Sequence, residues 1–169
     1  MLIDDWFTCV MIFTTFLNKI SILRNRNSFA IQLFNSFFFP LSVYSLNVNS
    51  THSCILCTAN KEETCYHLLF GCNFSVRCWQ SICITWNPTV NFNNMIILRR
   101  QQFQHTFFME VFMVAAWLIR KQRNGLIFEG KPPSLTSWKK GFEDELMLQA
   151  YRFKDSLKPP LFAWLNPLV

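Results

Sequence analysis

Cys54, Cys57, His67 and Cys72 stand at C-x2-C-x9-H-x4-C spacing in the stretch CILCTANKEETCYHLLFGC. Three thiols and one imidazole are soft donors, and four of them arranged tetrahedrally are what a structural zinc site takes. Two residues between Cys54 and Cys57 let the chain turn so that both sulfurs face one ion. His67 and Cys72 form the second half across a Leu-Leu-Phe-Gly turn, in which Gly71 permits close backbone approach. Cys65 lies inside the run and does not fit the pattern. A disulfide framework and chance pairing are the competing readings in a chain with seven cysteines, an odd number that leaves one thiol over. The spacing favours zinc over both.

Little else in the chain has the form of catalytic machinery. Polymerase chemistry needs paired aspartates that hold two Mg²⁺ about 4 Å apart. The only Asp-Asp is Asp4-Asp5, read as a solvated pair. Glu143, Asp144 and Glu145 are better read as an exposed helical arc than as a clustered carboxylate site. His52 and His105 have no nucleophile or carboxylate at a suggestive spacing. With four protein donors on the ion, no coordination position is left for a catalytic water. The expectation is no catalytic residue and no enzyme.

The elements that must position these donors follow from composition and periodicity. The chain has 169 residues, enough for one ordinary domain; it is 51% hydrophobic and 15% charged, so it can bury a core. Residues 1–53 are Phe-, Asn- and Ser-rich without clean periodicity, and are expected to be poorly ordered. Residues 54–86 hold the cluster and then FSVRCWQSIC, where Phe74, Cys78, Trp79 and Ile82 recur at helical spacing. Pro88 and the Asn-rich NFNN suggest a linker over 87–102. Residues 103–169 read as a helical tail. Its first helix, 103–123, is apolar almost all round from Phe107 to Ile119, and ends on Arg120, Lys121 and Arg123 before a left-handed cap at Gly125. Its second, 135–157, is capped by Ser134, carries the stripe Leu135, Trp138, Phe142, Leu146, Ala150, Phe153 and Leu157, and is stopped by Pro159-Pro160. The fold class is mainly α: a small irregular Cys3His zinc-binding element followed by two or more amphipathic helices.

The net charge of +6 lies almost wholly in the C-terminal half, where residues 88–169 carry eleven bases and six acids. Such an excess suits an anionic partner, RNA or DNA, with Arg99, Arg100, Arg120, Lys121, Arg123, Lys139 and Lys140 as contacts. The same groups are as easily read as helix-end and solvated-face charges. The apolar run from Trp6 to Leu17 lacks the basic start and cleavage site of a signal peptide, and is too short to span a bilayer. Residues 27–51 carry no charge but are interrupted by polar residues and Pro40, so a membrane partner is disfavoured. The expected compartment is intracellular, nucleus or cytoplasm, with reduced thiols rather than secretion.

CILC, then KEET, then HLLFGCNFSVRCW resembles the reverse-transcriptase zinc-binding domain of plant non-LTR (LINE-type) retrotransposon polyproteins. That pattern runs C-x-x-C, an acidic pair with Thr or Ser, His-Leu-apolar-Phe-x-Cys, then Phe-small-x-x-apolar-Trp. The resemblance implies one structural Zn²⁺ on Cys54, Cys57, His67 and Cys72. Glu63, Leu68, Phe70, Phe74 and Trp79 would be its framework, and Cys65 and Cys78 small hydrophobes. AAWLIRKQRNGLIFEG resembles the segment that follows this domain, usually Trp-x-Ile-Trp-Lys-x-Arg-Asn. Arg120 stands where the second Trp is usual, a departure expected to weaken packing. The likeness covers about residues 50–165 and fails upstream, where residues 1–53 read as translated intron or flanking DNA. It implies a non-catalytic zinc-binding fragment of a retroelement protein, with auxiliary nucleic-acid binding and other retroelement domains as partners. The alternatives are a structural or relic fragment without activity and, less favoured, a membrane-anchored or exported protein.

The ligand assignment has a direct test. Cys54→Ser, Cys57→Ser, His67→Ala and Cys72→Ser each remove tight zinc binding, whereas Cys65→Ser and Cys78→Val retain it, measured by competition with a chromogenic chelator. Loss of zinc in Cys65→Ser with retention in His67→Ala reverses the assignment.

Overall fold

The structure, a computed structural model, describes residues 53–151 and 153–168. Asp4-Asp5, the apolar run 6–17, the uncharged stretch 27–51 and His52 lie outside them. The described chain is mainly helical, and the Cys/His cluster precedes the helices. Among the described residues no helix is long and apolar enough to cross a membrane.

A loop from Ser53 returns on itself through the antiparallel bridge Ser53–Glu62, with Cys54 N–H donating to the Lys61 carbonyl at 2.8 Å. Asn60 sits inside this loop at φ 50°, and its side-chain carbonyl accepts from Ser53 Oγ at 3.0 Å. Asn tolerates the left-handed region because its short polar side chain bonds locally. Thr64 then starts the next turn: its Oγ1 accepts the His67 N–H at 3.0 Å, as an N-cap does. A π-helical turn, His67–Gly71, follows. Helix α1, Asn73–Ser81, buries Phe74, Cys78 and Trp79, with Ile82 just beyond its end, as the 3–4 spacing predicts.

The end of α1 is a Schellman arrangement: Cys83 N–H bonds the Gln80 carbonyl and Ile84 N–H the Trp79 carbonyl. The left-handed position that usually takes Gly is Cys83, at φ 58°. Ile84, fully buried, supplies the accompanying apolar contact.

Residues 87–102, expected to be a linker, contain helix α2, Phe92–Phe103. The Asn-rich composition marks a cap here, since the Asn91 side chain accepts the Asn94 N–H at 3.0 Å. Helix α3 runs Phe108–Glu129, so Phe103 belongs to α2 and the predicted start shifts by five residues. Its apolar girth is used as expected. Val111, Phe112, Val114, Ala115, Ala116, Leu118 and Ile119 are all buried, which makes α3 the central helix.

The stop predicted at Gly125 is overturned. Gly125 lies within α3, and the left-handed cap is Gly130 at φ 64°. The Gly125 carbonyl accepts from both Gly130 and Lys131 N–H groups, so the outgoing chain folds back across it. Arg120, Lys121 and Arg123 therefore sit in the body of α3, away from its negative end.

Helix α4, Leu135–Ala150, is capped by Ser134, whose Oγ accepts the Ser137 N–H at 3.2 Å. It packs along α3 through Trp138, Phe142, Leu146 and Ala150. It ends seven residues before the predicted limit, leaving Phe153 and Leu157 of the stripe outside it. Pro159-Pro160 begin a further helix instead of stopping one: α5 spans Lys158–Leu165, with proline in its first turn, where no N–H is needed. Leu161 and Leu165 of α5 complete the core beside Trp164, which meets Phe103, Phe107 and Phe142 at ring distances of 5.3, 6.0 and 6.4 Å.

A side chain with a Cβ in the left-handed region costs about 1 kcal/mol. Cys83→Gly removes that cost at an exposed position. The substitution raises the thermal midpoint by a few degrees without altering metal content, measured by calorimetry. A lowered midpoint shows that the Cys83 side chain contributes more than its backbone strain removes.

Candidate metal centre

The ligand atoms of Cys54, Cys57, His67 and Cys72 all lie within 4.8 Å of one another. Cys54 Sγ is 3.9 Å from Cys72 Sγ, and Cys57 Sγ is 3.4 Å from His67 Nε2. Bonds of about 2.3 Å to sulfur and 2.0–2.1 Å to nitrogen at a tetrahedral angle put sulfurs about 3.8 Å apart and sulfur about 3.5 Å from nitrogen. The two observed separations bracket these values. The set can hold a metal ion, and its donors are compatible with zinc. Cys54, Cys57 and Cys72 are free thiols, as the ligand set requires.

Local geometry explains how two distant pairs converge. Cys54 and Cys57 occupy the returning loop. His67 and Cys72 are brought together by the π-helical turn, in which Cys72 N–H reaches back five residues to the His67 carbonyl at 2.6 Å. This wider turn is the sort that α-helices show at functional positions. It also leaves the Leu68 and Leu69 carbonyls facing α1, which answers both: Ser75 Oγ donates to Leu68 O at 2.5 Å and Trp79 Nε1 to Leu69 O at 2.6 Å. Phe70 projects into the core against Trp79 and Phe112, its ring 6.3 Å from each and nearly parallel to both. Trp86 closes against Phe70 edge-on at 5.0 Å.

Gly71 has the role its sequence position suggests. A Cβ there would lie 3.2 Å from His67 Nδ1, tight enough to displace the imidazole.

Burial sets the proton inventory. The Cys54 thiol is pushed up to about 12, first by burial and then by Cys72 and hydrogen bonds with its neighbouring thiols, against an opposing Leu56 amide. Without an ion it keeps its proton at neutrality, so a metal must displace that proton. Burial lowers His67, helped by Lys61 and opposed by Glu63, so the imidazole is neutral and its lone pair is available. Cys57 is half-buried, whereas Cys54 and Cys72 are buried. Cys78 is fully buried and its thiol is raised by burial, which suits an inert small hydrophobe. Cys65 is half-buried and lies outside the four-donor group.

Glu63 anchors the loop to α3. Its carboxylate accepts from Arg123 Nε at 2.6 Å and Nη2 at 2.5 Å, with both side chains largely buried. Glu63, between the two halves of the cluster, thus holds a basic helix residue 60 positions away.

The basic residues expected to meet nucleic acid divide. Arg123 is engaged with Glu63. Arg120 is 4% exposed and its guanidinium falls to about 10, mainly through burial, with Arg123 adding to this and Cys65 opposing it. Where the resemblance calls for Trp, an arginine is thus enclosed at an electrostatic cost. Arg99 donates to the Cys83 carbonyl at 2.7 Å and to Gln102 Oε1 at 3.1 Å. Lys139 is half-buried, and Arg100, Lys121 and Lys140 are exposed. His105 stacks on Phe107 at 4.9 Å.

Thr64, Ser75 and Gly71 support the centre without being donors. A Thr three residues before a His is a readable capping signal; the partners of Ser75 and Trp79 depend on the π turn and are not. Comparisons with protein-family models, with curated proteins and with solved structures return no match.

Gly71→Ala separates the roles of turn and ring. An added methyl favours helical backbone by about 0.5–1 kcal/mol, yet it pushes His67 Nδ1. Zinc affinity falls 10–100-fold while helical circular dichroism is retained. Unchanged affinity removes Gly71 from the positioning of His67.

Proposed function

We propose that the chain is a non-catalytic zinc-binding module, one Zn²⁺ held by Cys54, Cys57, His67 and Cys72, belonging to a retrotransposon reverse-transcriptase protein. The observation that carries the zinc reading is the convergence of these four donor atoms within 4.8 Å, with the Cys54–Cys72 and Cys57–His67 separations suiting tetrahedral coordination. Three thiols with a neutral imidazole favour zinc over hard cations, which take oxygen ligands. A closed four-donor set suits a structural ion, since it leaves no position for a reacting water. The family reading rests on the resemblance of CILC, KEET and HLLFGCNFSVRCW, to which the Glu63–Arg123 pair and the buried Leu68, Phe70, Phe74 and Trp79 give a framework role.

When bound, the ion supplies a crosslink. The residues around it do the rest: Thr64 fixes the entry to the turn, Gly71 leaves room for His67, and Phe70 seats the turn on α1 and α3. Auxiliary nucleic-acid binding rests on the exposed Arg100, Lys121 and Lys140, and not on Arg120 or Arg123. Salt-dependent retention on RNA or DNA, weakened when these three are replaced by Gln, tests that second role.

The zinc reading is tested by metal content and hydrogen exchange together. Protein purified under reducing conditions holds one Zn²⁺ per chain by elemental analysis. Chelation strips amide protection mainly from residues 53–72, less from α1, which keeps its stack on Phe112, and least from α3 and α4. Binding in such sites is on the order of 10 kcal/mol and is coupled to folding. Acid has the same effect as chelation. A His with a lowered native pKa contributes stability that is present above its unfolded value and lost as pH falls through the native one, so His67 weakens the site below about 6.5. The thiolates regain their protons in the same direction. Metal-free protein with full protection at 53–72 sinks the reading.

A further inference from the structure

We infer that the cleft between the α1–α2 connection and α2 binds a small organic carboxylate. The cleft has a volume of about 240 Å³, below the roughly 300–1,000 Å³ of drug-sized ligand pockets and so suited only to a small molecule, and lies apart from the four metal-binding donors. Val90, Met95 and Leu98 form its apolar wall, and Trp86, Arg99 and Gln102 bring polar groups to it. No lining residue is acidic.

Two buried donors at this cleft lack an acceptor: Trp86 Nε1 and Arg99 Nε. A buried donor left without a partner costs about 1–3 kcal/mol, and more when it is charged. The Arg99 guanidinium already spends its other nitrogens on two neutral acceptors, the Cys83 carbonyl and Gln102 Oε1. Those bonds hold its position and leave its charge uncompensated. Arg99 is half-buried, and burial lowers its pKa, opposed by Cys83.

A carboxylate supplies what is missing: two acceptor oxygens and one negative charge. The apolar wall selects for hydrocarbon on the other end of the molecule. Inorganic phosphate matches the charge but has no part to place against Val90, Met95 and Leu98. The residues involved lie outside the metal-binding set, so this inference stands or falls separately from the zinc reading.

The test uses the full metal-loaded chain, titrated at constant ionic strength with benzoate, acetate or inorganic phosphate. The readout is the indole ¹H–¹⁵N resonance of Trp86, assigned by its absence in Trp86→Phe. Benzoate shifts it saturably and binds tighter than acetate or phosphate. Gln102→Glu places a carboxylate beside Arg99 on the chain itself and keeps α2 intact. In that variant benzoate binding weakens at least tenfold and the thermal midpoint rises, because the internal anion takes the ligand's place. A non-saturating shift, tighter binding of phosphate, or undiminished benzoate binding in folded Gln102→Glu overturns the assignment.

Discussion

One hydrogen bond, from Cys72 N–H back five residues to the His67 carbonyl, sets the geometry on which the molecule turns. An ordinary helical turn would rotate His67 and Cys72 to different sides of the chain. The extra residue in the turn brings both donors toward Cys54 and Cys57, and the same widening sends Phe70 to the opposite side, into the core. The two outcomes are linked. A change that tightened the turn would withdraw a ligand and a core aromatic together. The freed carbonyls of Leu68 and Leu69 would be costly in an apolar interior, and Ser75 and Trp79 of α1 satisfy them. The cluster and the helices therefore share polar contacts as well as apolar surface.

Charge is distributed to serve that junction. The chain encloses Arg120 and holds Arg123 on Glu63, so two of the bases in its most basic segment face inward. Removing one partner from such a pair is worse than removing both, since the remaining charge stays buried. The excess positive charge counted along the sequence thus overstates what the surface presents. Arg100, Lys121 and Lys140 remain available, on α2, α3 and α4 respectively.

The donor set was legible because coordination chemistry constrains residue type and spacing at once. The buried stripe of α4 through Trp138, Phe142, Leu146 and Ala150 was legible for a similar reason: period and apolarity agree. So was the broad apolar face of α3, buried from Val111 to Ile119 apart from the half-buried Met113 and Trp117. What failed were boundaries. Gly125 reads as a stop, but glycine in a helix is also a place where another segment can pass, and Lys131 passes there. Pro159-Pro160 read as an end because proline is excluded from helix interiors, although the first turn accepts it equally well. The Asn-rich stretch at the start of α2 reads as a linker because Asn is common both in loops and at caps. The fates of Arg99, Arg120 and Arg123 depended on contacts made across 16 to 60 residues, which a local pattern does not contain. Residues 1–53 offered no period to read, and nearly all of them lie outside the described chain.

The Glu63–Arg123 pair joins positions 60 residues apart, while the thiol pair Cys54 and Cys72 closes a segment of only 18. Loop-closure entropy grows with the logarithm of length, so bringing the longer segment together costs about 1 kcal/mol more than the shorter. Local ordering of the cysteine loop is thus the cheaper event, and Glu63 lies within that loop. Helix α3 then meets a carboxylate whose position is fixed, so that less conformational freedom remains to be lost when Arg123 arrives.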